Sequence, residues 1–223
     1  EVEGFIEDCI AAAVRCQKAG FDGVQLHGAH GYLLAQFLSP ELNRRDDVYG
    51  GSPEKRAKPL MDIIAGINQS CGRAFSLGVR LSPERFGQRT EEIRDLAADL
   101  LVDPRIDYLD MSLWDVFKEA HEPEHAGKQL LDLFTSIPRG NVKLAVAGKI
   151  ATPQDAQKVI DLGADIAALG RGAILHHDFP NKTKADPHFT PRTLPVAAEV
   201  LRSEGLSEPF VNYMKVWTGF VSE

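Results

Sequence analysis

The sequence predicts an α/β protein built on a parallel sheet. Three observations carry that expectation. Short apolar runs of strand character alternate with segments whose apolar residues recur at helical spacing. No hairpin turn joins consecutive strand-like runs, so each pair must be linked by a right-handed crossover. A weak internal repeat, Phe21-Asp22-Gly23-Val24, Ile106-Asp107-Tyr108-Leu109 and Ala164-Asp165-Ile166-Ala167, places an Asp after a helix stop and before an apolar strand each time. Five strands are countable. A doubly wound open sheet satisfies that pattern, and so does part of an eight-stranded barrel. Periodicity does not choose between them.

The elements follow in order. From Val2 to Lys18, residues Phe5, Ile6, Cys9, Ile10, Ala13 and Val14 form an apolar helical stripe. Acids come early, Arg15 and Lys18 come late as the helix dipole prefers, and Gly20 supplies the stop. A strand from Gly23 to Leu26 leads into a turn carrying His27, Gly28, His30 and Gly31, and an apolar helix follows Tyr32. Residues 41–53 are polar and rich in Arg, Asp and Gly, a loop by composition. Ser52-Pro53 caps a helix through Leu60, Ile63, Ile64 and Ile67 that ends near Gly72. Phe75 to Leu81 is a strand with Arg80 just before its end, and Thr90-Glu91-Glu92 opens a helix through Leu101. Ile106 to Met111 is the next strand, its following loop carries Trp114 and Phe117, and a helix is expected from about Gly127 to Ile137. Val142 to Ala147 is a strand ending in Gly148-Lys149. Thr152-Pro153-Gln154-Asp155 then caps a helix, and Ile166 to Leu169 is a last strand ending in Gly170-Arg171-Gly172. A polar, proline-rich tail over 179–195 precedes one or two closing helices, Val196 to Glu204 and Glu208 to Val216.

At 223 residues and 43% hydrophobic content the chain can bury a core of its own. Its net charge of −7, with acids spread along the chain, argues against nucleic acid or an anionic membrane as partner. No apolar run approaches the roughly 20 residues of a membrane span, and the start has no signal-peptide shape. Cys9, Cys16 and Cys71 lack metal-ligand spacing. Cys9 and Cys16 lie seven apart in an apolar stripe, so buried free thiols in a reducing, cytoplasmic setting are expected.

The stretch Phe21 to Pro40 organises the rest. Two imidazoles three residues apart, and a phenol two further on, gather hydrogen-bonding groups at the carboxyl end of a strand. Ligands bind there in α/β proteins. His27-Gly28-Ala29-His30-Gly31-Tyr32, then Gln36-Phe37-Leu38-Ser39-Pro40, Asn43, Arg44 and Tyr49-Gly50-Gly51-Ser52, closely resemble the flavin-dependent ene-reductases of the Old Yellow Enzyme (NADH:flavin oxidoreductase) family. The resemblance chooses the barrel. It implies a (β/α)8 TIM barrel of which this chain holds only the last five strands, with residues 1–223 forming the C-terminal part of one FMN-binding domain. The chain would then cover about 60% of such a barrel protein. Such an arc leaves two strand edges unpaired and its apolar interior exposed. Either a preceding segment of a longer protein or self-association of the chain is expected to cover them.

The implied reaction is reduction of an activated, electron-poor C=C bond by NAD(P)H, by ping-pong hydride transfer through FMN. It asks three things of the protein. His27 and His30 suit the first, donating two N–H groups to the substrate oxygen where enolate charge develops; as an isolated pair they would equally suit backbone-satisfied structural histidines. Tyr32 suits the second, a phenol of pKa about 10 protonating carbon from the face opposite the flavin, against plain packing in a helix's first turn. Arg80 suits the third, a permanent cation beside the flavin N1/O2 edge, against a simple rim salt bridge. Gly148, Gly170 and Arg171, after the last two strands, match the phosphate end of the cofactor, against turn glycines with no ligand. Trp114 and Phe117 either line the substrate pocket or pack in the core. His121-Glu122-Pro123-Glu124-His125 mimics a zinc-protease pattern, but Pro123 breaks the helix such a site needs, and a solvated loop is expected instead. No metal site is expected. Two other readings stay open: a flavin-free remnant serving as an assembly module, and another phosphate-binding barrel enzyme such as a lyase or isomerase.

Overall fold

The computed structural model describes residues 1–222. Five parallel strands, β1 (Gly23–Gly28), β2 (Ser76–Leu81), β3 (Tyr108–Ser112), β4 (Lys143–Ala147) and β5 (Ile166–Ala168), lie in the order of the sequence. Each after the first is hydrogen-bonded in parallel to the strand before it. The internal repeat has a physical role here. The Asp107 carboxylate accepts from the Leu77 N–H at 2.8 Å, and the Asp165 carboxylate accepts from the Leu144 N–H at 2.8 Å. Each Asp ties the start of its own strand to the start of the preceding one.

One helix precedes the sheet and the others fill the crossovers. These are α1 (Val2–Lys18), α2 (Leu33–Leu38), α3 (Pro53–Cys71), α4 (Thr90–Leu101), α5 (Asp132–Thr135) and α6 (Pro153–Asp161). Ser52 caps α3 as the sequence predicts, and Thr152 and Asp155 form a reciprocal capping box at α6. Leu77, Val79 and Leu81 of β2, Leu109 and Met111 of β3, and Leu144 and Val146 of β4 are fully buried in one core with Leu60, Ile63, Ile64 and Ile67 of α3 and Ile93, Ala97 and Leu100 of α4. Alternation sends the intervening residues to the other face of the sheet. There stand Gln25, His27, Arg80, Tyr108, Asp110, Ser112 and Lys143. The expectation of an exposed apolar interior is therefore corrected: the face opposite the helices is mainly polar, with Ile166 its exposed apolar residue at the β5 end.

Four other expectations change. β1 runs on to Gly28, so His27 sits in the sheet rather than in the turn. The helix expected over 127–137 shrinks to α5, because the backbone at 128–130 bonds to 118–120 instead: Ala120 N–H donates to Lys128 O at 2.9 Å and Leu130 N–H to Lys118 O at 3.0 Å. The polar tail begins with helix α8 (Phe179–Ala185), preceded by α7 (Arg171–Leu175) directly after the last strand; Pro180 sits in the first turn of α8, where its missing N–H costs nothing. The HExxH-like segment is not solvated throughout, since His125 is buried against Glu91.

The chain closes with α9 (Ala198–Ser203) and α10 (Glu208–Lys215). Leu175, Val196, Leu201, Val211, Met214 and Phe220 form a second, smaller apolar cluster there. The three cysteines are free and half-buried, and burial raises the thiol pKa of Cys9 and Cys71. Among the described residues no helix is long and apolar enough to cross a membrane.

Candidate active site at the carboxyl ends of the strands

Register brings three polar side chains into one row. His27 of β1 lies opposite Arg80 of β2, and Arg80 lies opposite Asp110 of β3. Arg80 Nε forms an ion pair at 3.2 Å with the Asp110 carboxylate, which accepts a hydrogen bond from Gln25 Nε2 at 3.3 Å. Arg80 Nη2 donates to Ser112 Oγ at 3.1 Å, and that hydroxyl is 2.7 Å from His30 Nε2. The imidazoles of His27 and His30 are 5.0 Å apart between centroids, and the phenol ring of Tyr32 is 5.3 Å from His27. The structure thus gathers His27, His30, Tyr32 and Arg80 into one cluster.

The local backbone explains how. Gly28 ends β1 where an added Cβ would lie 2.9 Å from the Leu81 side chain and 3.0 Å from the Arg80 carbonyl, so only glycine lets the two strands stay this close. His30 then takes a left-handed conformation (φ 59°), and its N–H donates to Ser82 Oγ at 3.0 Å. The chain turns back within two residues, and Tyr32 becomes the N-cap of α2 with its side chain 63% exposed. The phenol is open to solvent rather than packed in the core.

Electrostatics favour neutral imidazoles. Partial burial and the Arg80 cation lower the His27 pKa, against the pull of Asp110. Burial, Arg80 and His27 lower that of His30. Both shifts favour the neutral ring, which has one N–H to donate. Asp110 is 6% exposed; burial raises its pKa while Arg80, Gln25 and His27 pull it back.

The cavity beside His30 is walled by Ser82, Glu84, Arg85, Phe86, Ser112 and Trp114. Trp114 is 59% exposed with the Arg85 guanidinium 4.8 Å above its ring. Phe117 packs instead against the core, under Lys158. So the two aromatic candidates divide, one to the cavity and one to the core.

Gly148 and Gly170 stand past the carboxyl ends of β4 and β5, which pair through Ala147 and Ala168. Gly148 has φ 153°, and an added Cβ would be 2.7 Å from the Trp114 carbonyl carbon. Gly170 is exposed with open space around it, and Arg171 is exposed at the start of α7. These three residues lie on the far strands of the sheet from β1, apart from the histidine cluster. Asp110, Ser112 and Gln25 escaped the sequence reading. The signal that finds them is register: Asp110 and Ser112 follow Tyr108, the residue after the second Asp of the repeat, at the two-residue period of a strand.

A sequential parallel α/β sheet with donors converging at its strand ends has the arrangement in which α/β proteins bind small molecules. The profile of the NADH:flavin oxidoreductase / NADH oxidase family matches residues 1–188, and this chain belongs to that family. It is 36% identical over 191 residues to a probable NADH-dependent flavin oxidoreductase of Bacillus subtilis, covering 82% of this chain and 51% of that protein. It is 32% identical over 210 residues to a cinnamate reductase of Clostridium sporogenes, covering 84% and 32%. Among solved structures it is similar to the old yellow enzyme homologue from Zymomonas mobilis, with a TM-score of 0.71 and 29% identity over 90% of this chain and 56% of that one. The chain spans about half the length, or less, of these relatives.

Proposed function

We propose that the chain is the part of an FMN-dependent oxidoreductase that grips the substrate oxygen and supplies the proton in the reduction of an electron-poor C=C bond. NAD(P)H is the reductant in this reading. The five strands form an arc corresponding to strands four to eight of a (β/α)8 barrel, and residues 1–223 belong to a single domain with it. One observation carries the reading: His27, His30, Tyr32 and Arg80 converge at the strand ends with the imidazoles biased to the neutral form and the phenol open. Names among the relatives support it, since one is a flavin oxidoreductase and another a cinnamate reductase.

The residues fit a flavin. The open sheet face is polar, and it carries a cation whose Nε is buried with no geometrically sound hydrogen-bond acceptor among the described residues. Arg80 would stand at the N1/O2 edge, and Gly148, Gly170 and Arg171 would hold the phosphate, with glycine letting the backbone approach. Bound FMN supplies the hydride. His27 and His30 each donate an N–H to the substrate oxygen, polarising the conjugated alkene and stabilising the developing enolate. Tyr32 delivers the phenolic proton to the α-carbon and is reprotonated from solvent, to which it is open. Free thiols suit the reducing, cytoplasmic setting proposed with it.

The test is a visible spectrum of the purified protein with its intact mass, followed by titration of FMN into the colourless form. Flavin absorbance or saturable FMN binding, lost in Arg80→Met, supports the reading. A chain that takes up no FMN, alone or with a longer form supplying the remaining strands, defeats it.

A further inference from the structure

Ser112 sits between two groups of different chemistry. Arg80 carries only donors, so where its Nη2 meets Ser112 Oγ at 3.1 Å the hydroxyl oxygen must accept. The single hydroxyl hydrogen is left for the second neighbour, His30 Nε2 at 2.7 Å. If Nε2 carried a proton, the serine oxygen would accept twice and its own hydrogen would be stranded. If Nε2 is bare, the serine hydrogen has an acceptor and the ring's Nδ1–H is left to donate elsewhere.

We infer that Ser112 is a positioning residue that fixes His30 in the Nδ1–H tautomer and so selects which ring nitrogen donates to the substrate. The assignment rests on the proposed role of His30 as an oxyanion donor and deepens it. Two features hold the ring for this purpose. The His30 backbone is locked at φ 59° with its N–H on Ser82, and Arg80 is itself anchored by Asp110, which Gln25 supports. The charged and titratable groups around His30 are His27 on β1, Arg80 on β2, Asp110 behind it on β3, and Glu84, Arg85 and Lys118 across the cavity. Glu84 is paired to Lys118 and Asp110 to Arg80, so among the described residues around the ring neither carboxylate is free to draw a second proton onto it. The relay runs Asp110, Arg80, Ser112, His30, and it links the cation proposed for the flavin edge with the donor proposed for the substrate.

The experiment is nitrogen–proton NMR of the histidine rings in the full chain at neutral pH, with His30 assigned by its disappearance in His30→Gln. Wild type and Ser112→Thr are expected to show His30 protonated at Nδ1 and bare at Nε2. Ser112→Ala is expected to move His30 to the Nε2–H form or a mixture. A wild-type His30 protonated at Nε2, or at both nitrogens, overturns the inference, and so does a tautomer unmoved in Ser112→Ala. Should Ser112→Ala fail to fold, wild type and Ser112→Thr decide it between them. No flavin or turnover enters the measurement, so its outcome stands apart from that of the FMN titration.

Discussion

Arg80 and Asp110 are register partners on neighbouring parallel strands, and the guanidinium Nε lies 3.2 Å from the carboxylate on the open face of the sheet. Asp110 is the more buried partner, and burial raises its pKa despite the cation. The folded state therefore holds that proton more tightly than the unfolded chain. Stability contributed by the protonated form is complete below the ordinary carboxyl pKa of 3.8 and is lost as pH rises from there through the folded value. Arg80→Met should push Asp110 further up and stretch that fall toward neutral pH, which urea-melting midpoints across the range will register. Identical pH dependence in the two proteins would contradict the pairing.

Tyr32 is exposed and caps a short helix without a side-chain bond, so Tyr32→Phe should leave stability within about 0.5 kcal/mol of wild type. Reduction of an enone should slow about 100-fold, as expected for loss of a general acid, while reduction of the flavin by nicotinamide is spared. Stopped-flow measurement of each half-reaction separates the two. Equal loss in both would remove the phenol from the proton-donor role.

Gly148 is the tightest backbone crossing near the site. Its φ of 153° is one that side chains rarely adopt, and an added Cβ would strike the backbone of Trp114 and Asp115 at 2.7 and 2.8 Å. Backbone cannot swing aside as a side chain can. Gly148→Ala should cost about 2–4 kcal/mol and move Trp114, read by denaturation and by the indole's fluorescence.

Glu204 anchors the second apolar cluster. Burial pushes its pKa up, but the His177 backbone N–H, the Arg192 guanidinium and the His177 ring outweigh burial and hold it at about 2. Its stabilisation is complete above the unfolded value of 4.5 and is lost as pH falls from there toward about 2. Glu204→Gln should abolish that acid dependence and cost about 1–3 kcal/mol at neutral pH, measured by thermal melting. His177, Asp178 and Glu204 also lie close enough together to suggest a cation site, but Lys182 is bonded to Asp178 and Arg192 to Glu204. Added divalent metal should leave the melting temperature unmoved.

The parts of the site legible in the sequence are those that one strand and its turn deliver together. His27, His30 and Tyr32 lie within six residues, so their meeting needs only a strand and a tight turn. Arg80 is legible because the end of an apolar strand points where ligands sit. Ser112 and Asp110 are not, because their partners lie on other strands and contact depends on register. The short strands and main helices follow from periodicity and caps, Thr152 with Asp155 above all. The stretch 127–137 misleads because Leu130, Leu131, Phe134 and Ile137 have helical spacing while the backbone at 128–130 finds partners across the loop. Local pattern loses there to a non-local pairing.

The alternation along β2 and β3 has a further meaning for how such a protein changes over generations. Leu77, Val79, Leu81, Leu109 and Met111 bear the fold, while Arg80, Tyr108 and Ser112 between them are only partly buried. Those three positions can therefore change with a new ligand at less penalty to folding than their neighbours, whereas Gly78, where a Cβ would run into the Tyr108 ring, and the buried Asp110 are held. A one-residue insertion within either strand would exchange the two alphabets and lose both at once.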